Sequence, residues 1–412
     1  MPITFSQYLT NLTDAVYQNN GPNLAYLLRP TSPHGKDLLW CQNLFSELAL
    51  KRSDLARYEG FVASPWDEIA IQYLLVCWNI AKKRYGEAFK EESQLVSLFY
   101  RFLPENRGWT LPALFSILRD LRDLAYDADL HSGGQKTDCM EEAARIITKA
   151  FGLCMTDRTS PYEESRKWGV YYVVGLVLKC YFRVKRISLS KNILRALDAN
   201  NDIPPLHQYP RSHQVTYRYY IGMLSFLNED FAKAEQELTL AFYHCHNGSY
   251  ANKQRILTYL IPLRILKGHL PSLELLRRFP VLDQLYSPFI KAIRSGDVQA
   301  YDKALEQGEQ RLLELNLWLT LEKARELSLR GLFRKIWVAV EKTTRMPIAM
   351  FHAGLKISGI DVPVEEAECY VANMIYRGFI RGYISHEKQM VVLAQNNAFP
   401  RVADCPNPFA HI

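Results

Sequence analysis

The cluster in this chain most suited to chemistry is His244-Cys245-His246. A His-x-His pair offers two imidazole nitrogens to a single metal ion, the arrangement metal-dependent hydrolases use. Such an enzyme also needs a downstream Asp at fixed spacing, and Asn247–Leu257 contains none. The pair follows Leu240-Ala241-Phe242 at the end of a predicted helix, where a histidine is favoured by the helix dipole alone. A structural role is therefore the preferred reading. The chain has no GxxxxGK[ST] loop, no GxGxxG turn and no GxSxG elbow, so neither a nucleotide cradle nor a serine nucleophile is visible. The eight cysteines include no CxxC pair and sit mostly in apolar helical stretches, which fits buried, reduced thiols rather than zinc ligands or activated thiolates. No enzymatic activity and no cofactor are expected.

The basic residues are more informative. Arg183, Lys185, Arg186, Lys191 and Arg195 cluster across one predicted helix end and the next helix, with no acid among them, and Lys253 and Arg255 follow further on. One reading is a solvated face whose aliphatic stems cover apolar surface. The functional reading is a groove for an acidic peptide, since disordered acidic segments gain association rate from such a field and take hold on nearby apolar anchors. Tyr171, Tyr172, Tyr181 and Phe182 would be those anchors.

These residues need elements to hold them. Thr4–Gln18 reads as a helix with Phe5, Tyr8, Leu9, Leu12 and Val16 on one face, ended by Asn19-Asn20-Gly21-Pro22. A polar turn is predicted over Pro30–Lys36 and helical periodicity from Asp37 to about Phe102, with Pro65, Pro104 and Pro112 at helix starts or connections. Leu130–Asp138 reads as a surface loop, and from there to about Leu327 nearly every segment is an amphipathic helix. Gly222, Phe231, Ala234, Leu238 and Ala241 reproduce the small/aromatic spacing of a tetratricopeptide-type hairpin, with Asn228-Glu229-Asp230 as its turn; Tyr85, Ala88 and Leu95 form a weaker copy. Such hairpins bury their faces only by stacking, which predicts an α-solenoid.

The C-terminal part changes character. Ala324–Leu329, Leu332–Lys342 and Pro347–Ile357 read as three short helices, and Val364–Tyr376 as a fourth that Gly378 stops. Two β-rich runs follow, Phe379–Ile384 and Gln389–Leu393, joined by a polar turn. Helices followed by a two-stranded wing predict a winged helix. It carries Arg330, Arg334 and Lys335 on its leading helix, Arg377 and Arg381 beside the turn into the wing, and Lys388 at the tip. Glu365, Glu366 and Glu368 occupy the start of the presumed recognition helix, where they would repel phosphates, so sequence-specific base readout is not expected. Salt-sensitive phosphate contact by the six cations is the functional reading.

Composition agrees with an ordered chain. Hydrophobic residues are 48% and charged residues 23%, values of globular proteins. The net charge of +7 permits an acidic partner or nucleic acid without demanding one. The N-terminus lacks the pattern of a signal peptide and no segment approaches eighteen uncharged apolar residues, so an intracellular, soluble protein without a membrane span is expected.

A helical-repeat body ended by a winged helix resembles the PCI-domain family, shared by subunits of the proteasome lid, the signalosome and translation factor three. Within that family the chain resembles the branch of PCI-domain-containing protein two and its fungal relatives. The stretches that carry this are Ser165-Arg166-Lys167-Trp168-Gly169, Val215-Thr216-Tyr217-Arg218-Tyr219-Tyr220, Ala241-Phe242-Tyr243-His244-Cys245-His246, Leu266-Lys267-Gly268-His269-Leu270-Pro271 and Arg381-Gly382-Tyr383-Ile384-Ser385-His386. The similarity runs from about Thr4 to Pro400 and is weakest over Gly35–Arg57. With it, the organisation reads as N-terminal helical repeats over 1–200, the TPR-like helical part of a PCI domain over 201–323, its winged helix over 324–398 and a flexible tail over 399–412. The resemblance implies a non-enzymatic subunit of a nuclear mRNA-export complex of the TREX type, acting in the nucleus and at the nuclear pore. It implies pairing with a second PCI-type scaffold through the winged helices, a small acidic disordered subunit, and RNA or DNA on a shared basic surface. The alternative it leaves open is a scaffold of a signalosome-related complex acting in transcription elongation or splicing, without direct nucleic-acid binding.

Overall fold

The computed structural model describes residues 3–41, 50–133 and 137–405. It divides into two units, 1–220 and 221–412.

In the first unit, Thr4 opens α1 (Phe5–Tyr17) with a capping box: its hydroxyl accepts from the Gln7 N–H and the Gln7 side chain accepts from the Thr4 N–H. The expected face is buried, with Ala15 in place of Val16. Helix α2 (Gly21–Leu27) begins against the turn before α6, where a Cβ on Gly21 would lie 1.9 Å from the Trp109 carbonyl oxygen. Helix α3 (Pro33–Cys41) starts inside the predicted polar turn, because proline fits the first helical turn, whose N–H groups need no partner. Then α4 (Trp66–Ala81), α5 (Tyr85–Phe102), α6 (Leu111–His131), α7 (Asp138–Met155) and α8 (Val170–Arg183) each pack on the next, as stacked hairpins do. Helix α4 is buried from Ile69 to Asn79 on nearly every side and forms the centre. The loop expected over Leu130–Asp138 is shorter: α6 runs on to His131, whose ring lies 4.4 Å from that of Tyr85, and 134–136 lie outside the described residues. The short α9 (Ser190–Asp198) and the longer α10 (Arg211–Leu227) follow, the latter running past residue 220.

The Ser165–Gly169 stretch locks the first unit. Asp157 accepts from Ser165 Oγ at 3.0 Å and from the Arg166 N–H at 2.8 Å. The Arg166 guanidinium donates to the carbonyls of Leu103 and Asn106 and lies 3.8 Å from Asp157. This ties the α5–α6 connection to the α7–α8 connection.

In the second unit, α11 (Phe231–His244) pairs with the end of α10 as the predicted repeat hairpin. Phe231, Ala234, Leu238 and Ala241 are buried, Glu229 takes the left-handed turn position (φ 60°) and Asp230 caps the Lys233 N–H. A Cβ on Gly222 would sit 2.7 Å from Leu238 Cγ, so glycine lets that leucine in. Helices α12 (Tyr250–Leu266), α13 (Leu273–Arg278), α14 (Pro280–Ser295), α15 (Val298–Glu314) and α16 (Trp318–Ala339) continue the stack. Helix α16 is continuous where two helices were expected; Gly331 does not break it and lies against the end of α14, where an added Cβ would sit 3.1 Å from the Ile293 carbonyl oxygen.

The winged helix comprises α16, α17 (Ile348–Ile357), α18 (Val364–Tyr376) and a sheet of three strands, not two, in the order β1-β3-β2: β1 (Arg345–Pro347), β2 (Gly382–Ser385) and β3 (Met390–Leu393). Strand β1 is three residues long, too short to alternate visibly, yet buries Met346 opposite Val391. The fold is thus an all-α solenoid ended by a winged-helix module with a small β-wing. A further correction concerns the tail. Ala398, Phe399 and Cys405 are buried: Ala398 O accepts from the Arg381 N–H, Phe399 lies 5.2 Å from Trp337, and Cys405 Sγ donates to the Gly378 carbonyl. The prolines there end regular structure without preventing packing; 406–412 lie outside the described residues.

Candidate partner and nucleic-acid interface

At the His-Cys-His cluster, His244 ends α11 and the buried Cys245 caps it, donating its N–H to Ala241 O. His246 turns away, its Nδ1 accepting from the Gly248 N–H at 3.1 Å. Among the described residues no three His, Cys, Asp or Glu side chains gather as a metal site would require. Burial pushes the thiols of Cys77, Cys154 and Cys180 up to about 12 and Cys139 up to about 11, the opposite of an activated thiolate.

The five cations at the end of α8 are exposed, but two have internal partners. Arg183 lies over the Tyr126 ring at 4.7 Å and Arg186 pairs with Glu141 of α7 at 3.0 Å. Lys185 takes a left-handed turn position (φ 58°), and Lys191 and Arg195 project from α9. The proposed aromatic anchors are corrected by the packing. Tyr181 is buried, Tyr172 stacks on Phe115 at 4.0 Å, Tyr171 sits edge-on to Tyr209 and Tyr217, and Phe182 meets Tyr220. Tyr126, Leu130 and Leu189 are exposed apolar groups on other segments of this unit. Lys253 and Arg255 belong to the second unit, where Lys253 lies 5.1 Å from the Phe242 ring centre and bonds Asn247 Oδ1.

The six winged-helix cations separate into two groups. Arg330 is half-buried and donates to Pro400 O, so it clasps the C-terminal segment, and Arg377 pairs with Glu326 of α16. Both therefore have internal partners, where the sequence reading made them phosphate contacts. Arg334, Lys335, Arg381 and Lys388 are exposed, Lys335 donating to Ser295 O at 2.6 Å. Glu368 is held against the wing by His386 at 2.8 Å and by Gln389; its carboxylate raises the His386 imidazole above its ordinary value. The same module exposes large apolar side chains: Ile357 (87%), Tyr376 (77%), Tyr383 (63%) and Met350. No periodicity flags these, because single apolar residues on polar faces are common.

A groove that sequence reasoning missed lies between α11, α12 and the 269–271 loop, lined by Tyr243, Arg264 and His269 over Leu257, Leu260 and Ile261. The signal that could have found it is the absence of any acid from Leu238 to Leu273.

Residues 305–395 match the PCI domain, a span that runs from α15 through β3. Over 97% of its length the chain is 35% identical to Protein CSN12 homolog of Schizosaccharomyces pombe, covering 98% of that protein. It is 33% identical to PCI domain-containing protein 2 of Xenopus laevis (97% and 98% covered) and 31% identical to PCI domain-containing protein 2 homolog of Drosophila melanogaster (97% and 99%).

Proposed function

Since the chain belongs to the family of PCI domain-containing protein 2 and the CSN12 homologs, PCI-domain scaffold proteins, we propose that it is a non-catalytic adaptor of a nuclear complex coupling transcription to mRNA export. Its winged helix docks on a second PCI scaffold through Met350, Ile357, Tyr376 and Tyr383. Arg183, Lys185, Arg186, Lys191 and Arg195 of the first unit receive a small acidic, disordered subunit. Arg334, Lys335, Arg381 and Lys388 add phosphate contacts to a basic surface shared with the partner. The observation that carries this reading is the coexistence, in one module, of exposed large apolar residues and cations not spent on internal carboxylates. Each phosphate contact is weak, and a rigid interface aligns several of them.

The test uses the full chain co-purified with its PCI partner. The triple variant Arg334→Glu, Arg381→Glu, Lys388→Glu is expected to keep the partner and lose at least about tenfold in affinity for single-stranded RNA at low salt, with a shallower salt dependence. Unchanged affinity overturns the nucleic-acid part; retention of the partner by an Ile357→Asp, Tyr383→Asp variant overturns the docking part.

A second reading is a signalosome-related scaffold that acts in elongation or splicing and touches no nucleic acid. It is favoured by the internal use of Arg330 and Arg377 and by Glu387 beside Lys388 at the wing tip. A salt-independent, near-zero RNA affinity of the assembled complex would select it.

A further inference from the structure

We propose that the groove at the end of the α11–α12 hairpin binds a single unstacked base of single-stranded nucleic acid, at a site separate from the winged helix. Four planar groups line it, the Phe242 ring and three more that reach the surface. Tyr243 is 75% exposed and presents its ring to solvent. The Arg264 guanidinium bonds Glu235 at 2.8 Å and Thr239 Oγ1 at 3.1 Å through its edge, which leaves a planar face. The exposed His269 imidazole stands on the loop that closes the groove. Beneath them Leu257, Leu260 and Ile261 make an apolar floor. Aromatic rings and guanidinium planes around an apolar slot are what a splayed base stacks on, and such stacking tolerates any base.

The charge of the segment suits a phosphate backbone. From Leu238 to Leu273 the chain has Lys253, Arg255, Arg264 and Lys267 and no acid. Of the carboxylates flanking it, Glu235 is clasped by Arg264 and Lys267, and Glu274 pairs with Arg278; Glu237 also lies on α11. Lys253, on the second turn of α12 and over the ring of the groove-lining Phe242, is placed to follow a strand leaving the groove, and the exposed Tyr250 (64%) offers a further ring on the same helix end. An acidic peptide would also be drawn by these cations. It has no need of four planar groups, and this favours nucleic acid.

The proposal is tested by fluorescence anisotropy of the full chain with an oligouridine strand at low salt, together with crosslinking of a 4-thiouridine-substituted strand. Tyr243→Ala is expected to weaken binding by about tenfold and Tyr243→Phe to restore it, with crosslinks in the peptide holding Tyr243 or His269. Tyr243 is mostly exposed, so an unchanged melting temperature separates this loss from misfolding. An affinity within twofold of the parent, or crosslinks confined to the wing, overturns the proposal. So does displacement of the strand by polyglutamate with equal sensitivity to Tyr243→Ala, which would assign the groove to acidic protein. The winged-helix triple variant is measured alongside. A loss there without one at Tyr243 overturns this site and leaves the shared basic surface standing, and the converse pattern does the reverse.

Discussion

The two units handle buried carboxylates in opposite ways. In the first, acids go deep. Asp157 has a side chain with no exposure and is surrounded by donors, while Glu92 is fully buried with both oxygens lacking a hydrogen-bond partner. In the second, carboxylates sit nearer the surface and share cations that reach solvent: Glu235 with Arg264 and Lys267, Asp302 with Arg325, Glu326 with Arg377. An acid that stays neutral in a core contributes shape and little else, and burial drives the Glu92 carboxyl well above the ordinary range. An acid that organises arginines fixes which cations remain for a ligand. The first unit therefore looks after itself, and the second arranges a surface.

The contrast is broken most forcefully at Asp157. Asp157→Ala leaves Arg166, with 6% of its side chain exposed, as an uncompensated charge, and should cost about 3–5 kcal/mol in a denaturant titration of the full chain. Burial alone would raise the Asp157 carboxyl, but hydrogen bonds from the Arg166 N–H and from Ser160 and Ser165 outweigh it and hold it below its ordinary value. Its contribution is therefore present near neutral pH and disappears on acidification.

Glu92 tests the other extreme. Glu92→Met replaces an unsatisfied polar group by an apolar one of similar length and should stabilise by about 2 kcal/mol. Destabilisation instead would reveal a partner for the acid. In the second unit Glu235→Ala removes the acid from two partly exposed cations, and a loss of about 1 kcal/mol is expected after solvent screening.

The smallest effect is a slope. Burial raises Asp120 to about 6, from an ordinary value of 3.8. The folded state holds its proton more tightly, so the stability this group confers is complete below about 3.8 and declines as pH rises to about 6. His213 runs the other way: burial lowers it from 6.5 to about 4, so its contribution is complete above 6.5 and declines as pH falls towards 4. Asp120→Asn should remove the first slope, so that stability falls more steeply, or rises less, on acidification than in the parent, which melting curves between pH 4 and 7 would record.

Much of the fold could be read from the chain because the periods are long. Gly222, Phe231, Ala234, Leu238 and Ala241 identified the hairpin since each fills a position that helical geometry assigns locally. What failed was non-local. Gly331 looks like a stop until the end of α14 is laid against it, and Arg345–Pro347 becomes a strand only when β3 pairs with it. The candidate site obeyed the same rule. The cations were countable, but the acid that claims Arg377 lies 51 residues away and the carbonyl that claims Arg330 lies 70 away. Tyr171 and Tyr172 lie near the cations in sequence, but their packing partners Tyr209 and Phe115 come from other segments.

The Arg330–Pro400 clasp has a practical consequence for anyone shortening this polypeptide. A cut after Ala398, which the proline-rich composition invites, would uncover Trp337, leave the half-buried guanidinium without its acceptor and vacate the space where Val402 meets Gly268. Expression fragments should retain at least Cys405, and an affinity handle at this end belongs beyond it.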